Sequence, residues 1–336
     1  MHLPRTVSAV LIFLLLCAVV IFSPPRFGEN SGYAALIDKH ARLAKITSPK
    51  IVLVGGSNVA LGIDSAVIEK VMSRPVVNMG FGCILGLRYM LEEVKGNLSP
   101  GDIVVIMPEY DFFCVTTNLE SNARVNGSSA LLNLVLVFPQ ASQWVLRTYA
   151  SAPERIFDFI YDCRRLVVGK VEFYQRVLRS RYDKTFPKTE DLSGGAINMY
   201  DHREAYNSHG DMTAHLLKES PGLNGMEVIA YGNYIFNQEA ADVVKNFAAL
   251  AAKKNVRVVV APPPLPERVY NKYKIRADDI FAHWRAIPNV TVLGSPAQFS
   301  FPENYFFDTA YHLTKFGRNL RSELLAHELL SVKAGN

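Results

Sequence analysis

The chain has 336 residues, 49% of them apolar and 20% charged, which excludes a disordered polypeptide and fits one domain with a large insertion, or two domains. Its formal net charge of +5 is spread along the chain without Lys/Arg runs or Arg–aromatic clusters, so nucleic-acid binding gains little support. The four cysteines stand at long spacings that match neither a zinc pattern nor a disulfide framework. Cys17 lies in an apolar run, and Cys83, Cys114 and Cys163 are expected as buried free thiols, with one disulfide left open.

Residues 7–22 (VSAVLIFLLLCAVVIF) are uncharged, preceded by Arg5 and ended by Ser23-Pro24-Pro25. The run is slightly short of the roughly 20 residues that cross a bilayer as a helix. No small-x-small cleavage site follows it, so residues 1–25 are expected as an uncleaved signal anchor, a single transmembrane helix. The rest of the chain is then expected outside the cytoplasm, in the periplasm or at the cell surface. Residues 26–47 read as a juxtamembrane linker with a short helix over 33–44.

The α/β signal begins at Ile51-Val-Leu-Val54, a buried strand by its apolar, mostly β-branched run. Gly55-Gly56 lets the backbone turn, Ser57 follows, and Asp64-Ser65 opens a helix over 65–73. A second strand over 75–78 ends in Met79-Gly80-Phe81-Gly82. A helix over 85–98 puts Leu87, Met90, Leu91 and Val94 on one face. After the turn Pro100-Gly101-Asp102 comes a third strand over 103–107, ending at Pro108-Glu109-Tyr110-Asp111. Strands alternating with helices at this spacing imply a parallel sheet with right-handed crossovers.

Residues 115–232 lose the strand alternation and read as a helical insertion or lid over the sheet. Within it, 131–146 is apolar but interrupted by Pro139, which favours a buried or interfacial helix pair over a second span. Residues 154–181 mix Ile156, Phe159, Ile160, Leu166 and Val167 with arginines, as an amphipathic helix does. The alternation then resumes with an Ala-rich helix over 239–253 and a fourth strand over 256–261, closed by Pro262-Pro263-Pro264. A helix over 266–286, a fifth strand over 290–293 and a last helix over 314–330 complete it. The expected fold is α/β, a flavodoxin-like three-layer sandwich with a five-stranded parallel sheet, built from 48–114 and 233–333.

Ser57 is the leading nucleophile candidate, because a residue at the carboxyl end of a parallel strand stands where open α/β sheets bind ligands. Asp308 and His312 occupy the loop before the last helix, which opens on the same sheet edge. A histidine there can serve as general base to the serine, and the carboxylate can orient the imidazole and stabilise its cation. Tyr206-Asn207-Ser208-His209-Gly210-Asp211 is the most polar stretch of the insertion, read as a surface turn or as a lid offering Asn207, His209 or Asp211 to the pocket. With His215 nearby it still falls short of a metal site, and no metal or other cofactor is expected. Trp144 and Trp284 sit in helical patterns and are expected in the core.

These blocks resemble the SGNH (GDSL-type) hydrolase superfamily. Gly55-Gly56-Ser57-Asn58 matches its nucleophile block, with Gly56 where the family usually has aspartate. Asn78-Met79-Gly80-Phe81-Gly82 resembles the block whose glycine N–H helps to form the oxyanion hole, with Gly80 and Gly82 both open for that role. At the third block Tyr110 stands where the family has asparagine, and the resemblance would make its O–H a substitute donor. His312-Leu-Thr-x-x-Gly317 resembles the family's entry into its last helix, with the Asp308/His312 spacing one residue longer than usual.

The resemblance implies an oxyanion hole of the Ser57 N–H with Gly80 or Gly82 and Tyr110; Asn58 and Glu109 flank the site as candidate substrate contacts. One anchor plus an extracytoplasmic SGNH-like domain looks like proteins that modify bacterial envelope polymers. The expected function is hydrolysis or transfer of an O-acyl group on a cell-envelope glycan or a small ester, through an acyl-Ser57. The competing expectation is an inactive SGNH-like subunit that binds or assembles within a polysaccharide export complex. A cytoplasmic flavodoxin-like protein would need more phosphate-cradling groups after the first strand than Gly55-Gly-Ser-Asn58 offers.

Overall fold

The computed structural model describes residues 30–115, 125–128, 130–153, 155–182, 202–223 and 235–334, with scattered positions between 7 and 19. Most of the expected anchor, Cys17 included, lies outside these residues. No described helix is long and apolar enough to cross a membrane. The chain divides into two compact units, one of residues 1–34 with 129–203 and one of residues 35–128 with 204–336.

The second unit is the α/β body. Its first part runs α1 (Ala35–Lys45), β1 (Ile51–Gly55), α2 (Ser57–Gly62), α3 (Ser65–Met72), β2 (Val76–Asn78), α4 (Leu87–Val94), β3 (Ile103–Met107) and β4 (Cys114–Val115). The other unit holds α5 (Ala130–Val137), α6 (Ser142–Tyr149) and α7 (Arg155–Tyr182). The body resumes with β5 (Ile235–Phe236), α8 (Gln238–Ala252), β6 (Arg257–Val260), β7 (Leu265–Pro266), α9 (Glu267–Arg285), β8 (Val290–Val292), β9 (Ser300–Phe301) and α10 (Lys315–Ala334).

Five strands form one parallel sheet in the order β2-β1-β3-β6-β8, the flavodoxin-like order. Every residue of β1 and β3 is buried, which is why both read as unbroken apolar runs rather than as alternation. Ile51, Leu53, Val105 and Val259 pack against Ile68 and Met72 of α3 and Leu325 and Leu329 of α10. Their neighbours Val52, Val54, Val104 and Val258 are equally buried, and α4 and α8 pack on each other and against β1 and β6. The result is three layers around a parallel sheet, as the alternation predicts.

Differences from the sequence reading are local. The helix expected over 85–98 is α4 alone, flanked by 3-10 turns at Cys83–Leu85 and Lys95–Asn97. Gly86 separates the first of these from α4: its φ is +79°, and a Cβ there would lie 2.1 Å from the Gly127 amide. The short pairs β4–β5 and β7–β9 carry too few residues for a periodicity to show. In the first unit Pro139 sits in a 3-10 turn between α5 and α6, the break its position implies. Trp284 is fully buried and Trp144 nearly so, as expected of core residues. Cys114 is buried, whereas Cys83 and Cys163 are half-buried, and all three are free thiols.

The larger correction concerns residues 204–223, which belong to the α/β body rather than to the insertion. Asn207 folds the turn by accepting the His209 and Asp211 amides on its side-chain oxygen, 3.0 and 2.9 Å away. Gly210, at φ +93°, presses so close to the Asn78 carbonyl that no side chain fits. The turn docks on the outer edge of β2, where the Asn78 amide donates to His209 O, and on α2, where the Met212 amide donates to Ala60 O. It thereby covers an edge strand that would otherwise be open.

Asp211 is therefore neither a surface nor a lid residue. It is wholly buried and accepts from the Ser65 amide and hydroxyl, Asn78 Nδ2, Asn207 Nδ2 and Arg318 Nη2. His209 turns to Glu69 on α3 at 3.4 Å. Neither these residues nor Asn207 is directed to Ser57. Removing one partner of a buried, hydrogen-bonded ion pair costs about 3–5 kcal/mol, because the other charge is stranded. Asp211→Ala is expected to lower the unfolding free energy by that amount in urea titration. Glu303→Gln, which breaks the exposed Arg268–Glu303 pair, should cost less than about 1 kcal/mol.

Candidate active site

Ser57 begins α2 at the carboxyl end of β1 and is half-buried. Of the two preceding glycines Gly55 is required by packing, and Gly56 leaves room for its neighbours. A Cβ on Gly55 would strike Val59 and the Met107 carbonyl at 2.4 and 2.6 Å, so α2 and β3 could not close on β1. A Cβ on Gly56 would lie 2.5 Å from Glu109 Oε1 and 3.3 Å from Cys83 Cβ. Glu109 and the loop after β2 thus both reach the turn that presents Ser57.

Glu109 is 2% exposed, and its Oε1 accepts the Ser57 hydroxyl at 3.4 Å and the Asn58 amide at 3.5 Å. Both contacts are long, at the weak end of hydrogen bonding. Glu109 is therefore a wall of the site beside the serine, as its position after β3 suggests. Asn58, expected at the substrate, is instead fully buried. Its Nδ2 donates to Met107 O, and its side-chain and main-chain oxygens accept from Arg321. Burial pushes the Arg321 guanidinium down to about 9.

The two candidate oxyanion glycines separate clearly. Gly80 N–H already donates to Asn78 Oδ1 at 2.8 Å, and the residue is packed against Val59 and Ala60. Gly80 O accepts from Lys39 Nζ, which also donates to Asn78 O and Gly210 O. Those three carbonyls match the three donors of an ammonium, although burial pushes Lys39 down to about 7 against the opposing pull of Asp211 and Glu93. Gly82 is half-buried, follows directly on the packed segment and precedes Cys83 at the Ser57 turn. Of the two, Gly82 is the one whose amide is not already held by Asn78.

Tyr110 does not stand in for the missing asparagine. Its ring is wholly buried and stacks on Trp284 with centroids 5.8 Å apart, and burial raises its hydroxyl far above the usual phenol range. Its backbone is used instead, the Tyr110 amide donating to the Tyr311 hydroxyl at 3.2 Å. That bond clamps the loop carrying Asp308 and His312 to the end of β3.

His312 Nδ1 lies 2.7 Å from Asp308 Oδ1, with side-chain exposures of 12% and 19%. The extra residue in the spacing is absorbed by a turn in which the His312 amide bonds to Thr309 and Phe307 N–H donates to His312 O. With the Nδ1 proton given to Asp308, Nε2 carries the lone pair that can accept a proton. The Ser57 hydroxyl is turned to Glu109. A groove of about 590 Å³ lined by Arg42, Lys45, Thr47 and Pro75 opens at the amino-terminal ends of β1 and β2, the opposite end of the sheet. Among the described residues no group of His, Cys, Asp and Glu is arranged to hold a metal.

One supporting residue was weighed in the sequence only as a weak metal ligand. His215 is 1% exposed, and its Nε2 donates to Leu313 O at 3.0 Å, directly after His312. Burial, with Arg318 and His312 adding to it, holds the imidazole down to about 4. No family of known proteins matches the chain, and no curated protein matches it either.

An unfolded histidine takes its proton near pH 6.5, whereas His215 in the fold takes it only near 4. Between those values the unfolded state binds more protons, so stability is full above about 6.5 and falls as pH drops towards 4. The expected loss from this group is up to about 3 kcal/mol. His215→Gln, which keeps an N–H for Leu313 O, should flatten that part of the pH dependence of urea unfolding.

Proposed function

We propose that the chain is a membrane-anchored, extracytoplasmic SGNH-type serine esterase or O-acyltransferase acting on an acylated glycan of the cell envelope. The observation that carries the chemistry is the Asp308–His312 pair on the loop that Tyr311 ties to the end of β3, beside the strand whose end bears Ser57. The anchor and the glycan substrate rest on the apolar run and on the SGNH resemblance alone.

In this mechanism His312 Nε2 takes the Ser57 proton as Oγ bonds to the ester carbonyl carbon. Asp308 holds the imidazolium through Nδ1–H. The Ser57 and Gly82 amides receive the oxyanion, each such donor contributing roughly 3–4 kcal/mol of barrier lowering. The alcohol leaves with the proton from His312. Water or a sugar hydroxyl then attacks the acyl-serine, giving hydrolysis or transfer. Glu109 opposes the first step in two ways as a carboxylate. It competes for the Ser57 hydroxyl, and its charge lies beside the developing oxyanion.

A second reading, a non-catalytic binding or assembly subunit of a polysaccharide export complex, is favoured by that same Ser57–Glu109 contact and by the burial of Tyr110. Labelling of the full chain with a fluorophosphonate separates the two. The catalytic reading predicts labelling that vanishes in Ser57→Ala and slows at least about 100-fold in His312→Ala. Glu109→Gln should label faster than the parent, by roughly tenfold, because an amide both releases the hydroxyl and can donate to the oxyanion. A folded parent and a folded Glu109→Gln that both stay unlabelled leave the binding subunit as the reading.

A further inference from the structure

Helix α7 is built inside out. Its polar side chains face inward: Asp162 accepts the Tyr149 hydroxyl at 2.7 Å, and Arg155 donates to Thr148 O at 2.7 Å. Arg155, Asp162, Leu166 and Lys170, at i, i+7, i+11 and i+15, are the buried row. The opposite side exposes Ile156, Phe157, Ile160, Tyr161, Val168 and Val171, with Phe157 at 73%. At 3.6 residues per turn these six fall within roughly 140° of the circumference. The apolar positions of the amphipathic pattern therefore divide, Leu166 pointing in and Ile156 and Ile160 pointing out.

We propose that this outward face is a membrane-surface contact, seated at the boundary of headgroups and acyl chains of an anionic bilayer. Three observations select lipid over a protein partner. Exposed Arg164 lies within the apolar arc and exposed Arg165 about 40° beyond it, where long basic stems reach phosphates while their methylenes stay among apolar groups. Among the exposed, described residues of the helix the basic Arg164 and Arg165 outnumber the acidic Glu172, a bias of the kind interfacial helices carry. Phe157 and Tyr161 bring aromatic rings to a face of this kind, as interfacial helices do. The apolar run 7–22 belongs to the same compact unit. The inference takes its tether from the anchored reading above.

The test reconstitutes the full chain in phosphatidylcholine vesicles with and without phosphatidylglycerol, containing a phospholipid with a diazirine near its headgroup. Adducts are mapped by mass spectrometry after illumination. The proposal expects adducts across 156–171, several-fold denser with phosphatidylglycerol and several-fold above those on the exposed α9 surface around Ile275. In the triple variant Phe157→Glu, Ile160→Glu and Val168→Glu, changed only at exposed positions, they should fall to background while adducts in 7–22 persist. Circular dichroism checks that the variant keeps its helices. Adducts confined to 7–22 overturn the proposal but keep the anchor, and adducts at 156–171 without 7–22 do the reverse. Cross-links between copies through 156–171, without lipid adducts, overturn it in favour of self-association.

Discussion

A carboxylate with no access to water, that of Asp211, determines how the α/β body closes. It gathers donors from the start of α3, the end of β2, its own turn and the last helix, segments far apart in sequence. In a low-dielectric interior such a network holds only if its charges are met, so those segments have little freedom to shift independently. The consequence reaches the site. Asn78 gives its Nδ2 to Asp211 and Val59 O, which turns its Oδ1 to the Gly80 amide, and Lys39 takes the Gly80 carbonyl. The loop after β2 is thereby pinned up to Gly80, and Gly82 is the first glycine beyond that pinned segment.

A second trade operates at the serine. Where the SGNH resemblance leads one to look for an aspartate, position 56 has no side chain, and the space is filled by the carboxylate of Glu109 from the end of β3. A Cβ at 56 would push Glu109 Oε1 from the place it holds beside the serine. The site thus keeps an acidic group beside Ser57 but delivers it from another strand, and so places it against the Ser57 hydroxyl. The residue at the end of the third block is an acceptor, and the following tyrosine is committed to Trp284.

What the sequence made legible follows from how local each signal is. Fully buried parallel strands such as β1 and β3 are apolar throughout, and the five of the sheet stood out within a residue or two of their bounds. Asp308 and His312 were legible because they share one turn, four residues apart. The roles of Asn58, Tyr110 and Asp211 were not, since each depends on partners more than 45 residues away. A polar turn reads as surface unless the buried cation that meets it is known, and Arg318 lies 107 positions from Asp211. The composition of α7 gave amphipathicity but not its direction, which depends on whether Asp162 and Arg155 find partners inside.

That direction has an energetic logic. Leaving a large apolar side chain in water forfeits about 1.5–3 kcal/mol relative to burying it, so six on one face cannot be a neutral arrangement for a helix surrounded by solvent. Turning the helix over would bury them, yet it would strand the Tyr149 hydroxyl and the Thr148 carbonyl, which Asp162 and Arg155 now meet. Polar satisfaction inside therefore commits the apolar face outward. Under the proposed anchoring, a tether would change the balance at that face, since insertion would become an intramolecular event at high effective concentration. An interfacial helix too weak to bind from solution would then suffice, which is the setting the proposed contact gives the outward apolar arc of α7.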